Sequence, residues 1–144
     1  MIDRLTDLEV VALTGYGEAR GEPIDGLIAV MQVVGHRVRD PRYPSAWRAV
    51  CLQRQQFSCW NPGDPNRQLL ERIAEALASK ASLGSLRAPI VEALHVAEGV
   101  IASRYRDLVR KSCHYHATSV TPRWARGRTP VITIGHHRFY NDVP

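Results

Sequence analysis

The feature that most constrains the fold is an apolar helical repeat that stops at a glycine and proline break and resumes behind it. Before the break, apolar residues recur at helical spacing, and Thr6-Asp7-Leu8-Glu9 has the Thr-x-x-Glu form that caps a helix start. We therefore predict a helix over residues 6–19. Pro23 suits the first turn of a second helix, whose apolar repeat runs to about residue 38. Glu18 then lies where the two helices join.

The rest of the chain predicts further helices and a small β element near the C-terminus, which together give an α+β fold that is mainly helical. Each proline in the 40–44 segment disfavours helix before it, and residues 53–66 read as irregular. Aromatic and β-branched residues become frequent beyond residue 112. The predicted elements are a helix over 45–52 capped by Ser45, helices over 67–81 and 89–103, and strands over 114–120 and 131–134 joined by the loop 122–130.

Length and composition favour one globular domain over residues 1–144. The chain has 144 residues, 44% of them hydrophobic, which is enough for a core of its own. No apolar run approaches the roughly 20 residues that cross a bilayer, and the N-terminus lacks the layout of a secretory signal. We expect a monomer that is made in the cytoplasm and does not insert into a membrane.

The net charge of +5 favours an anionic partner, and either nucleic acid or a bacterial cell wall fits it. A basic nucleic-acid module would use the cationic residues of the C-terminal third. No zinc finger or RNA-recognition pattern accompanies them, and such a cluster is more often a solvated face, so nucleic acid is not the expected partner. The residues are Arg104, Arg106, Arg110, Lys111, Arg123, Arg126 and Arg128.

Three cysteines without a C-x-x-C pair argue against a zinc ribbon and against a complete disulfide framework. Buried free thiols are the expectation for Cys51, Cys59 and Cys113. Two alternatives stay open from the sequence. Cys51 and Cys59 can form a bridge in an oxidising compartment, and Cys113 beside His114 can act as a thiolate nucleophile.

Histidines in the C-terminal region raise a zinc-dependent amidase or peptidase as an alternative. His114 and His116 point to one side of the predicted strand, and His136 and His137 follow later in the chain. No H-E-x-x-H pair is present, and histidines that hydrogen-bond within a small sheet are commoner than ligands. We therefore expect no metal and no cofactor.

Four ordered blocks resemble the cell wall hydrolase family typified by the spore-cortex-lytic enzyme SleB. The blocks are residues 16–23 (YGEARGEP), 55–58 (QQFS), 114–117 (HYHA) and 122–140 (PRWA to GHHRFY), with 33–38 (VVGHRV) between the first two. The resemblance implies a lysozyme-like fold and peptidoglycan glycan strands as the substrate. It also implies a lytic transglycosylase that cuts the bond between N-acetylmuramic acid and N-acetylglucosamine. The lead into the third block, Lys111-Ser112-Cys113, departs from the Gly-Ala-Thr-like lead usual in the family.

The resemblance places the family's catalytic glutamate on Glu18. A proton donor of this kind must keep its hydrogen near neutral pH, which partial burial favours. A hydrolytic muramidase is the nearest alternative and would need a second carboxylate, from Glu22 or Asp25. Aromatic and polar residues of the same blocks are the expected cleft lining: Tyr16, Glu22, Gln56, Phe57, Ser58, His114, Tyr115 and His116.

The absence of a recognisable signal bears on delivery. An enzyme of this kind reaches the wall after release by a holin, from a virion or by lysis. A phage lysin or a compact bacterial hydrolase fits this chain better than a germination enzyme.

Overall fold

The computed structural model describes residues 2–144, and within that part of the chain it shows five α-helices and one three-stranded sheet. The fold is mainly helical, with a small antiparallel sheet near the C-terminus, as the sequence predicts. The helices are α1 (Asp7–Ala19), α2 (Ile24–Arg39), α3 (Trp47–Cys51), α4 (Pro65–Ser79) and α5 (Arg87–Ile101). The strands are β1 (His114–Ala117), β2 (Ile132–Ile134) and β3 (His137–Tyr140).

The predicted start of α1 is confirmed. The Thr6 hydroxyl accepts a hydrogen bond from the Glu9 amide at 3.1 Å, and the Glu9 carboxylate accepts one from the Thr6 amide at 2.9 Å. These two bonds satisfy amides that have no partner inside the helix. Thr6 therefore fixes where α1 begins, and the length of the helix carries Glu18 to its last turn.

Three predicted helix starts need correction. Ser45 does not cap α3, because Ala46 occupies the capping position and no side chain bonds there. Helix α4 begins earlier than predicted, since the Asp64 carboxylate accepts from the Asn66 amide at 2.8 Å and Pro65 fits the first helical position. Helix α5 begins at Arg87, because a proline at the third position still falls in the first turn and breaks no helical bond.

The sheet differs from the predicted pair of adjacent strands. Its order is β1, β3, β2, and both outer strands pair antiparallel with β3, which the sequence reading missed. Phe139 of β3 lies opposite Tyr115 on one side and Ile132 on the other. The 122–130 loop therefore connects the two edges of the sheet, and β3 brings His137 beside Tyr115.

Helix α1 is central to the core, where it packs against α2, α3, α4 and α5. Its apolar residues Val10, Val11 and Leu13 are fully buried. Among residues 2–144, no helix combines the length and apolarity that crossing a membrane requires. Because α1 is enclosed by the other helices, the position of its C-terminal end is fixed by packing.

The last turn of α1 closely approaches the 3₁₀ turn Ser58–Trp60. A Cβ atom at Gly17 would lie 2.8 Å from the Cβ of Cys59 and 2.9 Å from a methyl carbon of Leu70. Cys59 and Leu70 are both fully buried, so neither side chain can move aside freely. Glycine at this position permits the contact that brings the Ser58–Trp60 turn to Glu18.

We expect Gly17→Ala to destabilise the protein by about 1–3 kcal/mol, because the added methyl group overpacks a fixed contact. It should also slow any reaction that depends on Glu18. Gly99→Ala is the matched control, since its methyl would meet Tyr105, a side chain 39% exposed and free to turn outward. Denaturant unfolding measures both variants. Equal midpoints for the two would contradict the assigned role of Gly17.

Candidate active site

Glu18 is half-buried, and its carboxylate is held by three hydrogen-bond donors from two distant segments. One oxygen accepts from the Ser58 hydroxyl at 3.2 Å and from the Cys59 amide at 3.0 Å. The other oxygen accepts a short bond from the Tyr115 hydroxyl. We call these three groups the carboxylate cradle. The cradle joins the end of α1, the Ser58–Trp60 turn and β1 at a single carboxyl group.

Tyr115 is a reliable donor in the cradle. Burial raises the pKa of its phenol well above the ordinary value, and the neighbouring negative charge of Glu18 raises it further. The ring is fixed by Phe139 and His137, whose centroids lie 5.6 Å and 5.0 Å away. Tyr115 therefore keeps its hydrogen at neutral pH and directs it at Glu18.

All three cysteines are free thiols in the structure, and all three are buried. Burial raises the pKa of Cys51 to about 12 and raises the pKa of Cys59 as well, the latter with a further contribution from the Glu18 charge. The pKa of Cys113 is also raised, mainly by burial and then by Asp40. A protonated thiol is a poor nucleophile, so the raised pKa does not favour Cys113 as a nucleophile. Cys59 contributes its backbone amide to the site.

Arg37 is a buried residue of the site that the sequence reading did not single out. It is 5% exposed, its Nε donates to the Cys113 carbonyl at 2.8 Å, and its Nη1 donates to the Gln56 side chain at 3.0 Å. Its guanidinium also lies over the rings of Tyr43 and Phe57, at 5.0 Å and 5.1 Å. Arg37 thus joins the segment before Ser58 to the start of β1, and so fixes two parts of the cradle relative to each other.

Phe57 is not where the sequence reading places it. Its side chain is 1% exposed and belongs to the core, so it does not line a cleft in this structure. Gln56 and Ser58, its two neighbours in the chain, are exposed, and the Ser58 hydroxyl donates to Glu18. The QQFS block therefore has three exposed polar side chains, and only Phe57 packs in the core.

Tyr16 is also separated from the cradle. It is 8% exposed and lines a cavity of about 290 Å³ with Leu27, Pro89 and Glu92. Because residues two apart on a helix point in widely different directions, Tyr16 and Glu18 do not share a face of α1. Glu22 lines the same cavity, and the predicted role of Tyr16 in lining a substrate cleft stays a prediction.

Glu22 lies under the turn between β2 and β3. Its side chain is 6% exposed, and it accepts from the His136 amide at 3.0 Å and faces the His136 Nδ1 at 3.2 Å. His137 Nδ1 is 3.8 Å from the same carboxylate. Asp25, the other candidate for a second carboxylate, is exposed in the first turn of α2. Glu22 is thus tied to the hairpin turn.

The histidines do not converge on one point. His116 is 6% exposed, with Nε2 bonded to the Tyr140 hydroxyl at 2.8 Å and Nδ1 2.7 Å from the Ala117 carbonyl. Burial lowers the pKa of His114 to about 4, and this ring packs against Trp124. His137 instead contacts Tyr115. Within residues 2–144, no three His, Cys, Asp or Glu side chains are grouped so that they can hold a metal ion.

The predicted cleft roles of His114 and His116 stay predictions, and the contacts of the two rings show which face of β1 they occupy. Both rings pack against Trp124, at 5.2 Å and 5.6 Å between centroids, and their alternation along β1 puts Tyr115 on the other face. The HYHA block therefore supplies one site residue, Tyr115, between two residues of an aromatic cluster.

A model of the family described as Cell Wall Hydrolase matches residues 21–140 of the chain. The chain belongs to this family. Among curated relatives, the spore cortex-lytic enzyme of Bacillus subtilis (strain 168) is 26% identical over 133 residues, which is 92% of this chain and 37% of the relative. The corresponding enzyme of Oceanobacillus iheyensis is 31% identical over 75 residues, 49% of this chain and 27% of that protein. The chain thus spans about a third of the length of these relatives.

Solved structures of family members have the same fold. The catalytic domain of the germination-specific lytic transglycosylase SleB from Bacillus anthracis superposes with a TM-score of 0.66 at 22% identity, covering 94% of this chain and 93% of that domain. The catalytic domain of the Bacillus cereus SleB protein gives 0.67 at 22% identity, with 94% and 89% covered. The predicted family resemblance and the predicted fold class are both confirmed.

Proposed function

We propose that this cell wall hydrolase is a peptidoglycan lytic transglycosylase in which Glu18 acts first as an acid and then as a base. The cradle is the observation that carries the proposal. A single carboxyl group at the end of a packed helix receives hydrogen bonds from two segments that lie in or next to other family-like blocks, and one of the donors, Ser58, is exposed. The family match begins at residue 21, so the assignment of Glu18 rests on its position and its contacts.

The cradle suits both protonation states that the reaction needs. The Cys59 amide can only donate, so it stays on one carboxyl oxygen and leaves the other, beside Tyr115, for the proton. A hydroxyl that donates to a carboxylate can turn and accept from a carboxylic acid. Ser58 and Tyr115 therefore hold Glu18 in place before and after proton transfer.

In the first step, Glu18 gives its proton to the glycosidic oxygen that leaves with N-acetylglucosamine. Positive charge develops on the muramic acid ring as the bond stretches, and protonation of the leaving oxygen lowers the barrier. Glu18 is then a carboxylate, and the hydroxyl groups of Tyr115 and Ser58 stabilise its new charge. The electron pair of the broken bond goes to the leaving oxygen.

In the second step, the Glu18 carboxylate takes the proton from the 6-hydroxyl of the same muramic acid. That oxygen bonds to the anomeric carbon and closes a 1,6-anhydro ring, which returns Glu18 to its acid form. No water is consumed. One carboxyl group performs both transfers, so the reaction requires no second catalytic acid.

The closest alternative, a hydrolytic muramidase, requires a second carboxylate as nucleophile or as base for a water molecule. Glu22 is buried and its oxygens face the His136 amide and imidazole, which makes it a poor candidate. Asp25 lies exposed on α2. Because the Glu22 carboxylate already binds the turn at His136, it is not free to act as a second catalytic carboxylate, which favours the transglycosylase.

The proposal extends to the partner and its delivery. Peptidoglycan strands are the proposed partner of a monomeric enzyme, and the net charge of +5 favours adsorption to an anionic wall. We propose that the enzyme reaches the wall through a holin, from a virion or by lysis, without binding nucleic acid.

Clearing of purified sacculi tests the proposed activity. We expect turbidity to fall at the same rate with and without a strong chelator, because Glu18 needs no metal. Loss of clearing with chelator that is restored by zinc would contradict the proposal and favour a metallo-amidase. Salt-sensitive DNA binding without any clearing would favour the nucleic-acid alternative.

Tyr115→Phe removes one cradle donor and leaves the ring packing in place. We expect the clearing rate to fall roughly ten- to a hundredfold, the usual worth of a hydrogen bond to a charged group. The unfolding midpoint should change little, because the contacts with His137 and Phe139 remain. If Tyr115→Phe clears sacculi at the wild-type rate, the Tyr115 hydroxyl has no role in the reaction.

A further inference from the structure

The hairpin turn between β2 and β3 carries an exposed imidazole that is held by a buried carboxylate. The His136 side chain is 83% exposed, whereas that of its partner Glu22 is 6% exposed. The two meet at 3.2 Å between Nδ1 and a carboxylate oxygen. The His136 ring is therefore held at one nitrogen while the rest of the ring faces solvent.

The turn itself is built around the Glu22 carboxylate and does not need the imidazole. Gly135 has φ of +55°, and a Cβ atom there would lie 2.4 Å from a Glu22 oxygen. The backbone amide of His136 donates to Glu22 at 3.0 Å, which already ties the turn to the start of α2. The bond from the ring is therefore additional to the structural role of Glu22, and its effect is to orient the ring.

The oriented ring is linked to the cradle through Glu22, whose carboxylate lies 3.2 Å from His136 Nδ1 and 3.8 Å from His137 Nδ1. The next residue, His137, packs its ring 5.0 Å from that of Tyr115, and Tyr115 donates to Glu18. Burial lowers the pKa of His137, which keeps this intervening ring neutral. His136 thus lies at the solvent edge of a short path that runs through His137 and Tyr115 to the catalytic carboxyl group.

We propose that His136 is a substrate-binding residue that Glu22 positions. The tautomer that donates its Nδ1 hydrogen to Glu22 has Nε2 as its acceptor nitrogen, and the exposure of the ring places Nε2 in solvent. Nε2 accepts a hydrogen bond from a hydroxyl or amide N–H of an amino sugar in the glycan strand that reaches Glu18. This inference rests on the proposed function, because the ligand assigned to His136 is the glycan strand that the proposed transglycosylase cuts.

Steady-state kinetics on soluble glycan strands test the inference. We expect His136→Ala to raise KM about tenfold with little change in kcat, because the lost hydrogen bond acts on binding. The unfolding midpoint should stay within the error of the wild type, since the Glu22 contact with the backbone amide remains. An unchanged KM would overturn the proposal.

Two amide variants separate binding by Nε2 from the packing of the ring on Glu22. The amide of His136→Gln reaches the position of Nε2, whereas that of His136→Asn reaches only the position of Nδ1. We expect glutamine to restore part of the affinity and asparagine to restore none. Rescue by asparagine alone would show that only the bond to Glu22 matters, and would overturn the assignment. His95→Ala, at an exposed histidine of α5, is the control and should match the wild type.

A second measurement distinguishes failure of this inference from failure of the proposed function. Co-sedimentation with sacculi in a Glu18→Gln background measures binding without cleavage, and we expect His136→Ala to weaken it about tenfold. If Glu18→Gln still clears sacculi, the proposed function fails. If Glu18→Gln is inactive and His136→Ala sediments like its parent, the inference alone fails.

Discussion

Glu18→Gln is expected to slow the clearing of sacculi by roughly a thousandfold or more, because general acid and base catalysis together are lost. Glutamine has nearly the same shape and can still accept from the Cys59 amide and the Ser58 hydroxyl. It cannot give a proton to a leaving oxygen or take one from a sugar hydroxyl. The expected loss is therefore in kcat, with sacculus binding retained.

Two controls make the Glu18 result specific. Glu75→Gln, at an exposed position of α4, removes the same charge far from the cradle and should clear sacculi at the wild-type rate. Asp25→Asn should also leave the rate unchanged, whereas a large loss there would favour the muramidase. Undiminished clearing by Glu18→Gln, with the variant folded by circular dichroism, would contradict the assignment.

Phe57→Ala is expected to destabilise the fold by about 3–5 kcal/mol, which is a large part of the stability of an ordinary domain. The ring is 1% exposed and carries the Arg37 guanidinium on its face at 5.1 Å. Truncation leaves a cavity beside the buried Arg37 guanidinium, which also loses one of its two aromatic contacts. The segment that places Ser58 and Cys59 should loosen as a consequence.

Denaturant unfolding measures this effect, with Phe57→Leu as the comparison. Leucine fills most of the volume, so we expect it to cost much less than alanine, about 1–2 kcal/mol. The opposite pattern, an unchanged unfolding midpoint with weaker sacculus binding, would contradict this account and support the predicted role of Phe57 in lining the cleft.

The helical part of the fold could be predicted because its signals are local. The capping pair Thr6 and Glu9 marks the start of α1, and the apolar repeats mark α1 and α2. Each of these signals is formed by residues only three or four positions apart in the chain. The sequence does not predict strand β3, because His137 and Arg138 interrupt the apolar pattern of its segment. Its place in the sheet is decided by pairing on both sides, which a single segment does not reveal.

The site could be predicted only in part, for the same reason. Glu18 and Tyr115 are both predicted site residues, but their contact joins residues 97 positions apart in the chain and depends on the tertiary fold. Phe57 and Ser58 are adjacent in sequence, and only the structure shows that one is buried and the other exposed. Arg37 lies in the VVGHRV stretch, but its burial depends on partners far along the chain, the Cys113 carbonyl and the Gln56 side chain, which no local pattern reveals.

Mass analysis of the fragments released from sacculi tests the central claim most directly. The account predicts muropeptides that end in 1,6-anhydromuramic acid, 18 Da lighter than the hydrolysed forms because no water is added. Fragments with reducing muramic acid ends would contradict it and identify a muramidase. Free stem peptides with intact glycan strands would contradict it as well, and would identify an amidase.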